Sequence, residues 1–412
     1  MSDVFVNIKD PDVWIRPNEW LPIDNLASVG DHKFVGLLAI IPNQQNQLRV
    51  RVGGITYSVD WGDGTSQTSI GSGAYSDVHN YDFNSISSPL TKEGWKQVIV
   101  TIYPTTPGVT FSSYVFVDQS SVGINNWLDI KMVSTTCTSL TIGSVKRIPY
   151  LKKFTYAGSH ANIAINSMLP YSALEEFNMD FSNTTTLAST FLGASGRIFN
   201  TDTNINTIAN SLTSMFQSSN IRKVGNIAVT GSTALLQTFY QAQVLESIGN
   251  ISAPSASNMQ TFASACTNLT TVGSIDISLA TNALNAFNGC YRLQTIGTIT
   301  TSANLTTINA MFNGCNSLQG VTITNCSSLT GTGVTNAFLN CFALNQLSLP
   351  GIKISLSVAN TAMQRDALVS LFNDLGTPAT TQIITVTGTP GSANLTAGDI
   401  AIATGKNWTV TL

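Results

Sequence analysis

The sequence predicts a mainly β chain: an irregular arm over residues 1–34, a small β-sandwich over 35–120, and a repeat solenoid over 121–350 that ends in an α/β capping region over 351–412. Three observations carry this. Phenylalanine recurs as Phe191, Phe216, Phe239, Phe262, Phe287, Phe312 and Phe338, spaced 25, 23, 23, 25, 25 and 26 residues apart. Short apolar runs that alternate with polar residues recur with it, as strands with one buried face do. Charge is scarce: 10% of residues are charged, against roughly 25% in average soluble proteins. Identical positions stack in a solenoid, and stacked like charges would repel.

The arm holds Trp14 and Trp20 in a proline-containing stretch. Such an arm either packs on the next domain or docks on a partner, and both tryptophans are candidate attachment points. The sandwich begins with the apolar run from Val35 to Ile41. Further strands are expected at Leu48 to Val52, Thr56 to Trp61, Gln97 to Tyr103 and Ser113 to Val117, separated by turns rich in Gly and Ser. Within it, Trp61-Gly62-Asp63-Gly64-Thr65 is followed by His79-Asn80-Tyr81. This segment resembles the PKD domain, an immunoglobulin-like β-sandwich marked by W-G-D-G and a later H-x-Y. The resemblance implies a structural role for Trp61, Gly62, Asp63, Gly64, His79 and Tyr81, closing a tight turn. The chain departs from that pattern by inserting Phe83 to Gly94 before the next strand.

From Trp127 onward a run of the form L-x-x-h-x-h, with h apolar, recurs, as in Leu245/Ile248/Ile251, Leu269/Val272/Ile275 and Leu293/Ile296/Ile299. A weaker copy lies near Ile198 and Phe199. Gly225, Gly249, Gly273 and Gly297 follow the middle position, where glycine eases the backbone out of the strand. Between strands, segments such as Asn282 to Cys290 space their apolar residues by about three, which predicts a short α or 3₁₀ helix. Cys266, Cys290, Cys315 and Cys341 follow the last four phenylalanines, and Leu269, Leu293, Leu318 and Leu344 stand three residues beyond them. A period of 20 to 29 residues with leucine and cysteine at fixed offsets marks a leucine-rich-repeat solenoid. Residues 262–350 resemble the BspA-like, or Treponema-type, leucine-rich repeat, whose units read A-F-x-x-C-x-x-L-x-x-I. Residues 127–261 match in period and lack the cysteine. The four thiols, with Phe262, Phe287, Phe312 and Phe338, are expected to form a buried ladder. About eleven or twelve rungs give a rod on the order of 55 Å.

In the capping region, Thr361 with Gln364 reads as a capping box for a helix that carries Met363, Ala367, Leu368, Leu371, Phe372 and Leu375 on one face. A strand at Gln382 to Thr387, a helix from Thr396 to Gly405 and a strand at Trp408 to Leu412 follow, and the two strands are expected to continue the ladder.

The composition weighs against chemistry. Net charge is −3 with no basic stripe, so nucleic acid is not an expected partner. No apolar run approaches the roughly 18 residues of a membrane span. His32, His79 and His160 are scattered. No C-x-x-C pair, P-loop, G-x-S-x-G or H-E-x-x-H motif occurs, and no cofactor or metal is expected. Asp60, Asp63, Asp77 and Asp82 gather around the W-G-D-G turn without EF-hand spacing, and turn hydrogen bonds account for Asp63. Asn-x-Ser/Thr triplets arise by chance in a chain this rich in Asn, Ser and Thr. The opening residues lack the apolar core of a signal peptide.

The expectation is a non-enzymatic structural or binding protein of a tailed-phage virion, as fibre, spike or head decoration, assembled in the host cytoplasm. PKD-like domains and BspA-like repeats resemble parts of phage virion proteins and of bacterial surface adhesins, and an adhesin on the bacterial cell surface is the alternative. A carbohydrate-active enzyme ranks below both, because it would need paired acids such as Glu175 and Glu176. Expected partners are other virion proteins, copies of the chain itself (trimers being common among fibres), and a glycan or protein of the host surface.

Overall fold

The computed structural model describes residues 14–28, 30–53, 55–70, 77–109, 111, 113–115, 126–135, 137, 139–141, 148–157, 163–165, 168–196, 205–231 and 234–412. Strand takes 29% of the chain and helix 7%, and a β-solenoid of about 11 turns runs over residues 129–411.

The N-terminal region contributes to two sheets. In one, β1 (Lys33–Ile40), β6 (Lys96–Pro104), β3 (Thr56–Asp60) and β4 (Ser66–Ile70) pair antiparallel in that order. In the other, β2 (Asn46–Gly53) lies between β5 (Asp77–Tyr81) and β7 (Ser113–Val115). Alternation sorts the side chains: Phe34, Leu38 and Ile40 of β1 enter one core with Leu48, Val50 and Val52 of β2. The other face of β1, Val35, Leu37 and Ala39, packs against Trp20, Ile23 and Ala27 of the arm. β1 is therefore apolar on both sides, as its continuous run requires.

Both sheets continue without a break into the solenoid. β8 (Trp127–Val133) pairs antiparallel with β1, and β10 (Lys153–Ala157) and β12 (Glu176–Asn178) add to it in parallel. On the other side β9 (Ser139–Thr141), β11 (Ile163–Ala164) and β13 (Thr184–Thr186) stack in parallel from β7. The first turns of the solenoid thus grow on a sheet edge already formed. The copy expected near Ile198 and Phe199 lies outside the described residues.

Further along, each expected strand is two short ones meeting at a corner, for example Ser247–Ile248 and Ile251–Ser252, or Thr271–Val272 and Ile275–Asp276. The corner is the glycine column. A Cβ on Gly273 would stand 2.4 Å from Asn250 Oδ1 and 2.7 Å from the Gly249 carbonyl carbon. Side chains that cap the corner link rung to rung: the Asn250 N–H donates to Asn226 Oδ1 and the Ser274 N–H to Asn250 Oδ1, each at 2.9 Å.

The segment carrying phenylalanine is not the short helix the spacing predicts. Seven successive rungs hold two residues four apart at positive φ: Ser189/Gly193, Ser214/Ser218, Gln237/Gln241, Thr261/Ala265, Asn285/Gly289, Ala310/Gly314 and Asn336/Asn340. Alternate amides leave the segment altogether. Those of Ala283, Asn285, Phe287 and Gly289 donate to the carbonyls of Thr307, Asn309, Met311 and Asn313 in the next rung. The intervening Ala286, Asn288 and Cys290 amides close i→i−3 turns. Left-handed residues cost about 1–2 kcal/mol each outside glycine; the inter-rung bonds satisfy amides that would otherwise be buried unpaired.

The phenylalanines form one column in which a register shift is concealed. Phe191, Phe216 and Phe239 stack at 5.3 Å with interplanar angles of 8° and 5°, and Phe287 stacks on Phe312 at 5.7 Å and 4°. Phe262 instead meets Phe239 edge-on at 84° and Phe287 at 72°. By backbone pairing, Ala263 occupies the slot held elsewhere by phenylalanine, because its amide donates to the next rung as those of Phe239 and Phe287 do. The rung reads Phe262-Ala263 where two others read Ala286-Phe287 and Ala337-Phe338. All six side chains are buried, so the exchange conserves volume, the kind of core change that is tolerated best.

The C-terminal segment keeps the ladder. Leu356–Ser357, Gln382–Thr385 and Trp408–Thr411 pair in parallel. Two helices interleave with them, α1 (Arg365–Asp374) and α2 (Ala397–Thr404). The capping box expected at Thr361/Gln364 is absent: Gln364 is the N-cap without a side-chain bond, and Thr361 Oγ1 donates to the Val358 carbonyl. A capping box forms instead at Thr396 and Asp399 of α2. Asp399 also receives Arg365 Nε and Nη2, each at 2.9 Å, which clips the two helices together.

Candidate functional site

The W-G-D-G and H-x-Y residues come together as one packed unit. β3 ends at Asp60, whose Oδ1 accepts the Gly62 N–H at 2.9 Å. Gly62 has φ 78°, and a Cβ there would stand 2.4 Å from the Ile99 carbonyl oxygen, so only glycine fits. Asp63 Oδ1 accepts the Thr65 N–H at 3.0 Å and its hydroxyl at 2.6 Å; Asp63 Oδ2 lies 2.6 Å from His79 Nε2. His79 lies flat on Trp61 (4.8 Å, 11°) and edge-on to Tyr81 (4.6 Å, 78°). The Tyr81 hydroxyl donates to the Trp61 carbonyl at 3.0 Å.

Burial pushes the Asp63 carboxyl up, but the bonds from Thr65 and His79 outweigh it, and its pKa falls below the ordinary 3.8. A carboxylate with a lowered folded pKa gives stability that is full above the unfolded value and is lost as pH falls through the folded one. An acid titration followed by Trp61 fluorescence should therefore show the turn loosening below about pH 4. Asp63→Asn should remove that step and lower stability at neutral pH by about 1 kcal/mol.

The four aspartates near this turn do not converge. Asp77 is buried and accepts from Tyr57, Ser69 and Gln67, and Asp82 caps the turn Phe83–Ser85. No group of three or more His, Cys, Asp or Glu suited to a metal occurs among the described residues. His32 is buried before β1, and His160 lies outside the described residues.

The arm is docked on the chain itself. Arg16 Nε pairs with Asp129 Oδ2 at 2.7 Å, and its other nitrogens donate to the carbonyls of Trp20 and Leu21. Trp20 is 8% exposed and belongs to the core under β1. Trp14 lies beside it at 6.1 Å, half-buried. Trp20 is thus committed internally, and of the two only Trp14 keeps surface toward solvent.

All six cysteines are free and buried. The thiols of Cys266, Cys290, Cys315 and Cys341 donate to the carbonyls of Phe239, Ala263, Phe287 and Phe312, at 3.0 to 3.2 Å. Each reaches back one rung to the phenylalanine slot. Ala194, Ser219 and Ala242 hold the equivalent position in earlier rungs, as their i→i−3 amide bonds show. The slot demands a small residue, and cysteine adds a weak donor that alanine lacks. Burial pushes Cys290 and Cys341 up to about 12, so these thiols stay protonated and unreactive.

Acids on the solenoid are occupied one by one. Lys152 meets Glu175 and Lys153 meets Glu176, both at 3.4 Å; Arg222 meets Glu246 at 2.7 Å. Asp276 accepts from Ser278. Glu175 and Glu176 therefore face separate lysines. These pairs place opposite charges on adjacent rungs, consistent with the like-charge argument.

One concavity was not expected from the sequence. A groove of about 1060 Å³ runs between the sheet face at Thr295, Gly320 and Gln346 and the flank of α1 at Gln364 and Asp366. Gln294 and Gln319 line it as well. The available signals were weak: a glutamine directly after the rung leucine in Leu293-Gln294 and Leu318-Gln319, and a glycine inside a strand at Gly320.

No family model matches this chain, and neither a curated protein nor a solved structure does.

Proposed function

We propose that this chain is a non-enzymatic display protein of a tailed-phage virion, a fibre, spike or head decoration, with the solenoid facing outward. The observation that carries this reading is how the molecule uses its polar groups. Along the solenoid, carboxylates are paired with neighbouring cations or turn amides, and backbone amides bridge one rung to the next. Chemistry is spent on stacking, which suits a rigid surface. Six free, buried thiols suit synthesis in a reducing compartment, and this favours a virion protein over an exported adhesin.

In this reading the two N-terminal sheets are a PKD-like, immunoglobulin-like sandwich. The Trp61–His79–Tyr81 stack and the Asp63–Thr65 turn support that assignment. The repeats are leucine-rich units of the BspA-like type, supported by the leucine, phenylalanine and cysteine columns, although their connecting segment is a left-handed turn rather than a helix. α1 and α2 act as the cap of the rod, covering its final rungs with Leu368, Leu371 and Phe372. Attachment to other virion proteins falls to the N-terminal end, where Trp14 and the exposed Ile15 remain available.

Labelling purified particles with an antibody against the chain tests this. Labelled chains at the particle surface are the expected result. Chain recovered only as free protein in cell extract, with unlabelled particles, overturns the reading.

A further inference from the structure

The geometry points to the groove beside α1 as a binding site for an uncharged oligosaccharide; this rests on the display reading and gives it a ligand class. Its lining gathers polar side chains around one space. Elsewhere many polar side chains bond to a neighbouring rung or to their own turn, as Asn226, Asn250, Asp276, Asn282 and Asn325 do. In the groove, Gln294, Thr295, Gln319, Thr322, Gln346 and Gln364 face a common space. Among the described residues none of these six side chains makes a hydrogen bond within the chain. Hydrogen-bonding capacity is therefore left unspent inside a concavity.

The floor is hollowed by a glycine that the backbone does not need. Gly320 has no left-handed φ, and a Cβ there would make ordinary contact at 3.6 Å with Gln346 Cβ. At the equivalent position other rungs carry Lys223, Ser247, Thr271 and Thr295. The missing side chain leaves room against the wall of α1. At about 1060 Å³ the groove is at the upper end of small-ligand cavities, which run from about 300 to 1,000 Å³, and so suits an oligomer rather than a single small molecule.

Amides and hydroxyls both donate and accept, as sugar hydroxyls do. A phosphorylated or sulfated ligand would call for Arg or Lys, and neither lines the groove; its one charge is the Asp366 carboxylate. A peptide is less well matched because the floor strands Gly320–Thr322 and Gln346–Ser348 pair over only three residues, a short run for strand addition to extend. Val321 and Leu347 of those strands are buried, and the apolar side chains left partly open to the groove are Ile296 and Ala367.

The test uses the full chain with maltohexaose, cellohexaose, chitohexaose and mannohexaose in saturation-transfer NMR, with a heparin hexasaccharide and an oligoglycine peptide as contrasts. The expected result is transfer to at least one neutral hexaose. Affinity should fall by at least about fivefold, the worth of one lost hydrogen bond, in Gln294→Ala/Gln346→Ala. Gly320→Ile, which fills the hollow, should abolish binding while the thermal midpoint holds. Tyr291→Ala, outside the groove, should leave binding unchanged. Absence of transfer to every neutral hexaose, transfer only to heparin or the peptide, or binding that survives Gly320→Ile overturns the inference. The particle-labelling result is independent: labelled particles with no groove binding would leave the display reading standing and remove only its ligand.

Discussion

Phe287→Ala should lower the stability of the chain by about 4 kcal/mol, within the usual range of about 3–5 for a fully buried phenylalanine. Phe287 is completely buried. It stacks on Phe312 and meets Phe262 edge-on, so truncation opens a cavity in the aromatic column between them. A solenoid holds together through nearest-neighbour interfaces; losing two adjacent ones weakens the rod in its middle. Hydrogen exchange should therefore show lost protection centred on residues 262–312, while Trp408–Thr411 and β1 keep theirs. Phe287→Leu keeps most of the volume and should cost less than half as much. Chemical denaturation read together with exchange checks both points. A uniform loss of protection over all rungs would mean that the stack unfolds as one unit, against the columnar account.

What the sequence revealed and what it hid follow from the same physics. Buried side chains repeat because each rung presents the same hollow to the next. The period, the rung leucines such as Leu269 and Leu293, and the cysteine column were therefore legible. The left-handed turn was not, because Ser214, Gln237, Thr261 and Ala310 carry no signal for positive φ. Their conformation is imposed by amides that bond to the next rung, information that lies about 24 residues away. A spacing of three between apolar residues imitates a helix when the backbone is a chain of tight turns. The Phe262-Ala263 exchange was hidden for a similar reason: spacings of 23 and 25 around Phe262 average to the period and conceal a slip of one. At the W-G-D-G turn the motif announced its own geometry, since Gly62 and the Asp63–Thr65 bonds are local. The groove was nearly silent, because it arises where α1, a later segment, comes to stand beside Gly320. The arm was ambiguous until β1 proved apolar on both faces, which requires a cover that Trp20 and Ile23 provide.

Gly273→Ala should cost about 3 kcal/mol, at the upper end of overpacking penalties, although it adds a single methyl group. The added carbon would collide with Asn250 Oδ1, with the Asn250 nitrogen and with the Gly249 carbonyl carbon, all at 2.7 Å or less. Two of these are backbone atoms of the preceding rung, so they cannot swing aside as a side chain would. Relief requires the rungs to part at the corner, which also strains the bond from the Ser274 amide to Asn250 Oδ1. Gly320→Ala is the control. It lies within a strand rather than at the corner, one rung beyond Thr295, and its Cβ would meet nothing closer than 3.6 Å. That substitution should be neutral, or stabilising by up to about 1 kcal/mol through the unfolded chain. Thermal unfolding of the two variants separates the explanations. If both glycines tolerate alanine equally, the corner is not close-packed and the rung-to-rung account of the Gly225, Gly249, Gly273 and Gly297 column fails. If only Gly273 is intolerant, its column is dictated by stacking, while Gly320 is free of that demand and its small size has to be explained by what enters the groove.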